Sequence, residues 1–390
     1  MRRALALVVG TLLLWTAAPA RASGDRHADE HHRPGQVRLN QIQVLGTHNS
    51  YHVHGGPSLF SLLRNFSPAL ADSLDYGQLP LDQQLAGQGI RQFELDVFTD
   101  PFGGLYADPA GPRIVAQSGL PPDLPPNDPN GVLRRPGLKV LHVQDIDFRS
   151  TCLTFRICLR TIKRWSDENP RHLPLMILVE LKSDAIPDPG FGFVVPRPFE
   201  AADVDEVDRE IRSVFSERDL ITPDDVRGRN DTLEQAVLTR GWPRLAEARG
   251  KVLFTMDNEG REKDLYLAGH PSLRGRVLFT SSRPGAPEAG FVKLNDPLSD
   301  GALIRDLAAR GYIIRTRADA DTVQARTGDT TMRDAALASG AQFVSTDYPV
   351  PNPAFGTGYF VALPGGGTAR CNPVSAPPSC QGTRLERLHR

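Results

Sequence analysis

Short apolar runs alternate with amphipathic stretches along most of the chain. Runs of about four to eight apolar residues predict buried strands. Eight such runs follow one another, with room for a helix between most neighbouring pairs. They predict strands at residues 42–46, 91–97, 138–143, 175–181, 251–255, 276–280, 312–315 and 342–345.

The stretches between these runs carry apolar residues at helical spacing. In residues 154–168, Phe155, Leu159, Ile162 and Trp165 share one face, which predicts an amphipathic helix. The same spacing predicts helices at residues 201–215, 300–310 and 330–339.

Strands that alternate with helices indicate a parallel sheet. Eight is the strand number of a closed (β/α)8 TIM-type barrel, an α/β fold. An open doubly wound sheet is the alternative. However, no G-x-G-x-x-G sequence follows the first strand to support a dinucleotide-binding fold.

Two segments are not accounted for by the strands and helices of a minimal barrel. Residues 100–137 are rich in Pro, Gly and Asp and show little periodicity. They predict a loop insertion after the second strand, on the face where barrel active sites lie. The chain from Pro349 onward has a similar composition. The sequence therefore predicts one catalytic barrel over residues 39–350 and a Pro/Gly-rich tail over residues 351–390.

The N-terminus has the parts of a secretion signal. Arg2 and Arg3 precede an apolar stretch at residues 4–20, and Ala20-Arg21-Ala22 fits a cleavage site. The apolar stretch is short for a membrane span of about 20 residues, so a membrane anchor is the weaker interpretation. We predict a signal peptide at residues 1–22, a flexible lead-in at residues 23–38, and a secreted protein.

Composition and cysteine spacing narrow the class of protein. Of the 390 residues, 40% are hydrophobic, and the formal net charge of -1 provides no general basic field for nucleic acid. Export permits disulfides. Close spacing favours the pairs Cys152–Cys158 and Cys371–Cys380 over the other connectivities. A zinc site is the alternative, although a C-x-x-C pair and a nearby histidine are both missing.

Polar residues stand where a barrel presents its active site, at the carboxyl ends of the first four predicted strands. Residues two apart in a strand point to the same side of the sheet. Charged side chains inside a barrel are costly unless they are paired or bind a cation. From the first strand to the fourth, these residues are His48 and Asn49, Glu94 and Asp96, His142, and Glu180 and Lys182.

Three carboxylates and one amide form a hard oxygen ligand set suited to Ca²⁺ or Mg²⁺. Two histidines beside such a metal supply acid–base catalysis near neutral pH. Each residue also has a simpler interpretation. A single histidine after a strand is usually structural, Glu-x-Asp is often a solvated edge, and Glu180 with Lys182 can be an ordinary ion pair. The recurrence of such groups at four successive strand ends favours the functional interpretation.

These segments resemble the calcium-dependent phosphoinositide phospholipases C. The Ser-His-Asn-Thr-Tyr segment of that family is similar to Gly46-Thr47-His48-Asn49-Ser50-Tyr51. Its Gly-Cys-Arg-x-x-Glu-Leu-Asp strand is similar to Gln88-Gly89-Ile90-Arg91-Gln92-Phe93-Glu94-Leu95-Asp96. Its second histidine segment resembles Leu141-His142, and its third metal-carboxylate strand resembles Leu178-Val179-Glu180.

The resemblance covers residues 40–185 well and the C-terminal half only loosely. The related glycerophosphodiester phosphodiesterases have a closing strand similar to Phe343-Val344-Ser345-Thr346-Asp347-Tyr348-Pro349. The lysine two residues after Glu180 is also closer to that family. The first family nevertheless agrees better at His48-Asn49, because glycerophosphodiesterases usually carry His-Arg there.

The resemblance implies a barrel that holds Ca²⁺, or Mg²⁺, through Asn49, Glu94, Asp96 and Glu180. It implies that His142 gives a proton to the leaving diacylglycerol oxygen, while His48 stabilises or protonates the phosphoryl oxygens. A ligand carboxylate, Glu94 or Asp96, would help to deprotonate the inositol 2-hydroxyl. Attack by this neighbouring hydroxyl would give a cyclic phosphate that water can open.

Three basic residues are expected to bind phosphate or inositol: Lys182, Arg315 and Arg317. Lys182 is the strongest of them, because its strand neighbour Glu180 fixes its direction, whereas both arginines can equally be surface residues. The expected function is a secreted phosphatidylinositol phospholipase C acting on phospholipid at a membrane or micelle surface, with no protein partner implied. The alternatives are a glycerophosphodiester phosphodiesterase, a lyase-type phospholipase D, or a non-catalytic secreted barrel.

Overall fold

The computed structural model describes residues 37–381 and 385–386 of the chain. Ten strands form one sheet, and eight of them are parallel. The strands are β1 (Ile42–Thr47), β2 (Gln92–Phe98), β3 (Lys139–Val140), β4 (Leu175–Leu181), β5 (Val252–Met256), β6 (Leu278–Thr280), β7 (Phe291–Lys293), β8 (Ile313–Arg317), β9 (Phe343–Thr346) and β10 (Ala369–Cys371).

The parallel strands follow the order β6-β5-β4-β2-β1-β9-β8-β7. The two end strands of this path are joined by a parallel bridge between Ser281 and Phe291, so the sheet curves into a nearly closed ring. This topology confirms the predicted (β/α)8 TIM-type barrel, and the alternative of an open doubly wound sheet is wrong.

The structure corrects the identity of one barrel strand. Residues 138–143 do not form a third parallel strand. Only β3 is extended there, and it pairs antiparallel with Val97 and Phe98 at the end of β2. The eighth parallel strand is instead β7, which the sequence analysis missed. With only three residues it shows no apolar run, and no helix separates it from β6.

Four helices match the four predicted helices, with small differences at their ends. They are α5, α6, α11 and α13; the sequence analysis missed α1, which is ten residues long, and several shorter helices. The helices are α1 (Pro57–Phe66), α2 (Pro68–Ser73), α3 (Leu81–Gln83), α4 (Ala110–Gln117), α5 (Phe155–Glu168), α6 (Ala201–Arg212), α7 (Pro223–Arg227), α8 (Leu233–Thr239), α9 (Leu245–Ala248), α10 (Arg261–Leu267), α11 (Pro297–Arg310), α12 (Val323–Thr327) and α13 (Thr331–Ser339).

The core lies between the barrel strands and the outer helices. All residues of β4 except Glu180 are buried, as expected for a parallel strand that is covered on both sides. The apolar face of α5 is buried in the same core through Phe155, Leu159 and Ile162. Burying one such side chain contributes about 1.5–3 kcal/mol. The barrel is therefore a firm frame for the side chains at its strand ends.

The predicted insertion after β2 contains one helix, α4, and is anchored at both sides. Asp123 accepts hydrogen bonds from the backbone N–H groups of Ser58 (2.8 Å) and Leu59 (2.9 Å), in the first turn of α1. The N–H of Ala110 donates to Asp145 (2.8 Å), three residues beyond His142. The insertion therefore supports the loop that carries His142.

The C-terminal tail adds a strand to the barrel. Its strand β10 pairs antiparallel with residues 42–44 of β1. Both predicted disulfides are confirmed: Cys371 bonds to Cys380, and Cys152 bonds to Cys158 at the start of α5. These four cysteines are therefore not zinc ligands.

The predicted signal peptide and most of the predicted lead-in lie outside the described residues. The lead-in prediction overlaps the structure only at Val37, which is buried, and at Arg38. Within residues 37–381 and 385–386, no helix combines the length and the apolar character that a membrane crossing requires.

A buried ion pair ties the end of the chain to the barrel. Arg91, directly before β2, is 2% exposed, and its Nε donates to Glu386 Oε2 at 2.7 Å. The second oxygen of Glu386 accepts the N–H of Leu173 (2.7 Å), two residues before β4. The guanidinium also lies over the ring of Trp165, 5.0 Å from its centre.

We expect Glu386→Ala to lower the free energy of unfolding by about 3–5 kcal/mol, because it leaves the buried charge of Arg91 without a partner. The matched control is Glu217→Ala, which breaks the surface pair between Arg212 and Glu217 (2.8 Å) and should cost less than about 1 kcal/mol. Urea unfolding measures both values. Equal losses in the two variants would contradict the expectation.

Candidate active site

The first histidine of the site is held by a neighbouring barrel strand. Thr47 pairs with Thr346 across β1 and β9, so the next residues of the two strands, His48 and Asp347, lie side by side. His48 Nδ1 is 2.8 Å from Asp347 Oδ1. Burial, followed by the charge of Arg317, holds the pKa of His48 well below its usual range. His48 therefore presents its other nitrogen, Nε2, to the site.

Three carboxylates meet at the ends of β2 and β4. Asp96 stands directly opposite Glu180 in the register of these strands, and Glu94 lies two residues earlier on β2. Each of the three offers an oxygen within 4.8 Å of the others. Glu94 also approaches the first histidine, with Oε1 at 3.8 Å from Nε2 of His48. The predicted ligand carboxylates are thus brought together.

Two basic side chains partly balance this cluster. Arg315, which is almost fully buried, pairs with Glu94 Oε2. Lys182 Nζ lies 3.4 Å from Asp96 Oδ2 and 3.8 Å from Glu180 Oε1. Three carboxylates against two cations leave an excess of negative charge, which favours the binding of a further cation.

The predicted amide ligand lies next to the carboxylates in a left-handed backbone conformation. Asn49 has φ 40°, which asparagine tolerates better than most residues. Its Nδ2 donates to the hydroxyl of Tyr76 at 2.7 Å, and this bond fixes the orientation of the amide. In the described part of the chain, the buried Asn49 Oδ1 and Asp96 Oδ1 accept no hydrogen bond, and Asp96 Oδ2 has only its ion-pair contact with Lys182.

These oxygens fit a calcium ion. Buried oxygens normally have a donor, and a group of them without one has the chemistry of a cation ligand set. The pKa values of two of these carboxyl groups are raised, in part because the groups lie close to one another. Burial, and then Glu94, raises the pKa of Asp96, while burial, and then Asp96, raises the pKa of Glu180. The four residues that would hold Ca²⁺ are Asn49, Glu94, Asp96 and Glu180.

The second histidine reaches the site on a turn rather than on a barrel strand. The backbone of Val143 and Asp147 exchanges two hydrogen bonds (3.0 and 3.1 Å), so Asp147 turns back towards His142. His142 Nδ1 is 2.6 Å from Asp147 Oδ2. This bond leaves Nε2 of His142 for a substrate, as the Asp347 bond does for His48.

A third histidine, which the sequence analysis did not select, shares the same aspartate. The fully buried His52 places Nε2 at 2.8 Å from both oxygens of Asp147. Its ring stacks on Tyr76 with centres 4.4 Å apart, and it meets His142 edge-on at 5.7 Å. Burial opposes the Asp147 carboxylate, but His52 and His142 hold its pKa below the usual range.

These groups surround a cavity of about 240 Å³ at the carboxyl ends of the barrel strands. It brings most of the predicted site together, but neither Glu94 nor Arg315 lines it; these two side chains are buried against each other beneath it. Arg317 lines the cavity in place of Arg315, with Nη2 at 3.3 Å from Asp347 Oδ2. Its lining includes His48, Asn49, Asp96, His142, Glu180, Lys182, Arg317 and Asp347.

The sequence analysis missed the residues that orient the two histidines. Asp347 was present in a quoted motif but was given no role. Asp147 lies five residues after His142, a spacing that becomes informative only when the turn between them is known. His52 and Tyr76 show no pattern along the chain, because their contact depends on how the segment after β1 folds back.

Comparisons with known proteins identify a family and a fold. A family model described as "Phosphoinositide phospholipase C, Ca2+-dependent" matches residues 37–373. No curated protein sequence matches the chain. Because the family match covers most of the chain, it applies to the whole barrel and not to one motif alone.

Two similar solved structures come from one bacterium. A calcium-dependent phosphoinositol-specific phospholipase C from a Gram-negative Pseudomonas species, in a second apo crystal form, is 14% identical at a TM-score of 0.51. That match covers 89% of this chain and 100% of the other. Its apo form described as a myoinositol complex is 14% identical at 0.50, covering 87% and 96%. These likenesses establish the fold.

We expect Asp96→Asn to weaken calcium binding and to stabilise the calcium-free protein. The pKa of Asp96 is raised by folding, so the free energy of unfolding falls as the pH rises through the window between the ordinary and the raised pKa. Asparagine does not ionise, so the free energy of unfolding of the variant does not fall in this way. Its melting temperature in chelator should therefore exceed that of the wild type by a margin that grows from about pH 5 to pH 8.

With excess calcium the order should reverse, because only a form that binds the ion is stabilised by mass action. Calorimetry with and without calcium measures both effects. Asp306→Asn, at an exposed position of α11, is the control and should change neither melting temperature. A calcium-free Asp96→Asn protein that melts below the wild type at pH 8 would contradict the expectation.

Proposed function

The chain belongs to the family of Ca²⁺-dependent phosphoinositide phospholipases C, and we propose that it cleaves phosphatidylinositol to diacylglycerol and an inositol phosphate. One observation carries this proposal. Two histidines, each oriented through Nδ1 by its own aspartate, face a cluster of calcium-type ligands in one cavity. Such a pair of histidines can accept a proton from the attacking group and donate a proton to the leaving group of a phosphodiester.

The attacking group in the proposed reaction is the 2-hydroxyl of the inositol. Since Nδ1 of His48 is bonded to Asp347, and burial disfavours the charged ring, Nε2 is free to accept the hydroxyl proton. This assigns His48 the role of base, in place of the stabilising role that the family resemblance implied. Bound Ca²⁺ lowers the pKa of such a hydroxyl and neutralises charge that develops on the phosphate.

The leaving group in the proposed reaction is the diacylglycerol oxygen. His142 donates its Nε2 proton to this oxygen as the bond from phosphorus breaks, while Asp147 stabilises the charged ring beforehand. The product is a cyclic inositol phosphate, which water opens when the two histidines act in reverse. Lys182 and Arg317 are placed in the cavity to hold the phosphate or the inositol hydroxyls.

We propose that the protein acts outside the cell, on phospholipid at a membrane or micelle surface. Two disulfides support an oxidising compartment, and the N-terminal sequence has the parts of a secretion signal. Mass spectrometry of protein from the culture medium should find a mature chain that begins near Ser23. Intact Met1 at the N-terminus of the exported protein would contradict this.

The proposed function is tested on phosphatidylinositol vesicles with calcium and with a chelator. The expected products are diacylglycerol and cyclic inositol phosphate, and chelation should abolish their formation. Release of choline or glycerol phosphate from other substrates would instead indicate the phospholipase D or glycerophosphodiesterase alternative. His142→Ala should lower kcat by about 10²–10⁴-fold, the contribution of a positioned acid. Full activity in chelator would remove the role of the metal.

A second variant pair tests the role of His52 in positioning. His52→Ala removes one of the two partners of Asp147 and should lower kcat by about tenfold or more, a part of the effect of a positioned acid, while KM changes little. His52→Gln keeps a neutral donor near the same place and should restore most of the loss. Equal defects in both variants would reduce His52 to a packing role.

A further inference from the structure

A second cavity lies beside the active site and is larger than it. We call it the flank groove; its volume is about 520 Å³, and it lies between residues 76–79 and 87–88 on one side and residues 347–353 on the other. The first side belongs to the connection from β1 to β2, and the second is the chain that leaves the carboxyl end of β9.

Two residues are shared by the flank groove and the catalytic cavity. They are Tyr76, whose hydroxyl binds Asn49, and Asp347, which orients His48. The groove therefore begins at the wall of the cavity in which the phosphodiester would be cleaved. The two cavities are therefore neighbours that share these two side chains as part of their walls.

The lining of the flank groove is mainly apolar and partly exposed. It includes Leu79, Tyr348, Pro349, Val350 and Pro351, and Asp347 is its only charged residue in the described chain. Leu79 is 44% exposed and Val350 is 52% exposed. Exposed apolar residues that gather in a concave surface mark a binding groove.

Two polar side chains of the flank groove are engaged in structural hydrogen bonds. Gln78 Nε2 donates to the backbone carbonyl of Asp347 (3.2 Å), which connects the two walls. Asn352 Oδ1 accepts the N–H of Ala354 (3.0 Å). Gln88 differs, because its buried Oε1 accepts no hydrogen bond within the described residues. Neither wall carries a cation for a phosphate or a sugar acid, so a mainly apolar occupant suits the groove better than a charged one.

We propose that the flank groove binds one acyl chain of the lipid whose head-group occupies the catalytic cavity. This inference rests on the proposed function. The volume lies within the range of about 300–1,000 Å³ that is typical of small-molecule sites. The enzyme then selects its substrate by the length of the acyl chain as well as by the head-group.

The test uses soluble phosphatidylinositols with butyryl, hexanoyl or octanoyl chains, all below their aggregation concentration, and glycerophosphoinositol as the substrate without chains. For the wild type, kcat/KM should rise with chain length, by up to about fourfold for each methylene that becomes buried. Leu79→Asn should reduce the octanoyl-to-glycerophosphoinositol ratio of kcat/KM by about tenfold, the value of burying a leucine-sized contact.

Gly87→Phe is an independent variant that fills space at the groove. A Cβ at this position meets no atom within 4 Å, and Gly87 has no positive φ, so the backbone accepts a side chain. The matched controls are Leu298→Asn, at a 57% exposed leucine, and Gly301→Phe, at a helical glycine that is equally open. Both controls lie on α11, outside the groove, and should keep the wild-type ratio.

The outcomes separate the two proposals. A ratio that falls in both groove variants and in neither control supports the acyl-chain site. A ratio that is the same in all variants overturns it, while cleavage of phosphatidylinositol by the wild type upholds the proposed function. A Leu79→Asn protein whose sedimentation changes while the ratio does not would assign the groove to contacts between copies, and this also overturns the inference. Cleavage of neither substrate by the wild type overturns both proposals.

Discussion

The site depends on a group of carboxylates whose negative charge must be compensated. Glu94, Asp96 and Glu180 lie at the ends of two adjacent strands, the first two buried and the third half-buried. Arg315 and Lys182 supply part of the opposite charge, and the remaining negative charge and unpartnered oxygens call for a cation. The two histidines, Lys182 and Arg317 line the same cavity as Asp96 and Glu180. A positively charged centre, once formed, is what attracts a phosphodiester to the two histidines.

Each of the two histidines is oriented by a contact between its Nδ1 and an aspartate, but the two pairs lie on different backbone elements. His48 and Asp347 are held rigidly, because they continue two hydrogen-bonded barrel strands. His142 and Asp147 lie on a turn that the segment after β2 folds over the cavity, and their alignment depends on local contacts such as those of His52. The position of His48, the proposed base, is therefore fixed by the barrel, while the position of His142, the proposed acid, depends on how well its turn is packed.

The parts of the molecule that the sequence predicted are those with a signal in consecutive residues. Long apolar runs identified β4 and the neighbouring strands, and helical spacing identified α5. The ligand carboxylates followed from strand alternation. The three-residue strand β7 carries too little pattern to be recognised, and the extended shape expected for residues 138–143 gave way to a turn. Arg315 and Arg317 point to the same side of one strand, and only the packing around Glu94 decides which of them is buried.

The origin of the second histidine separates the site into two parts with different freedom to vary. His48 and the proposed metal ligands lie at the ends of barrel strands, so a change in them disturbs the sheet itself. His142 lies in the connection between β2 and β4, where backbone N–H groups donate to the carboxylates of Asp123 and Asp145. Exchange of this connection would therefore replace His142 while the strands and the proposed cation site persist. In the proposed reaction, the fold thus keeps activation of the nucleophile fixed and leaves the choice of leaving group open to change.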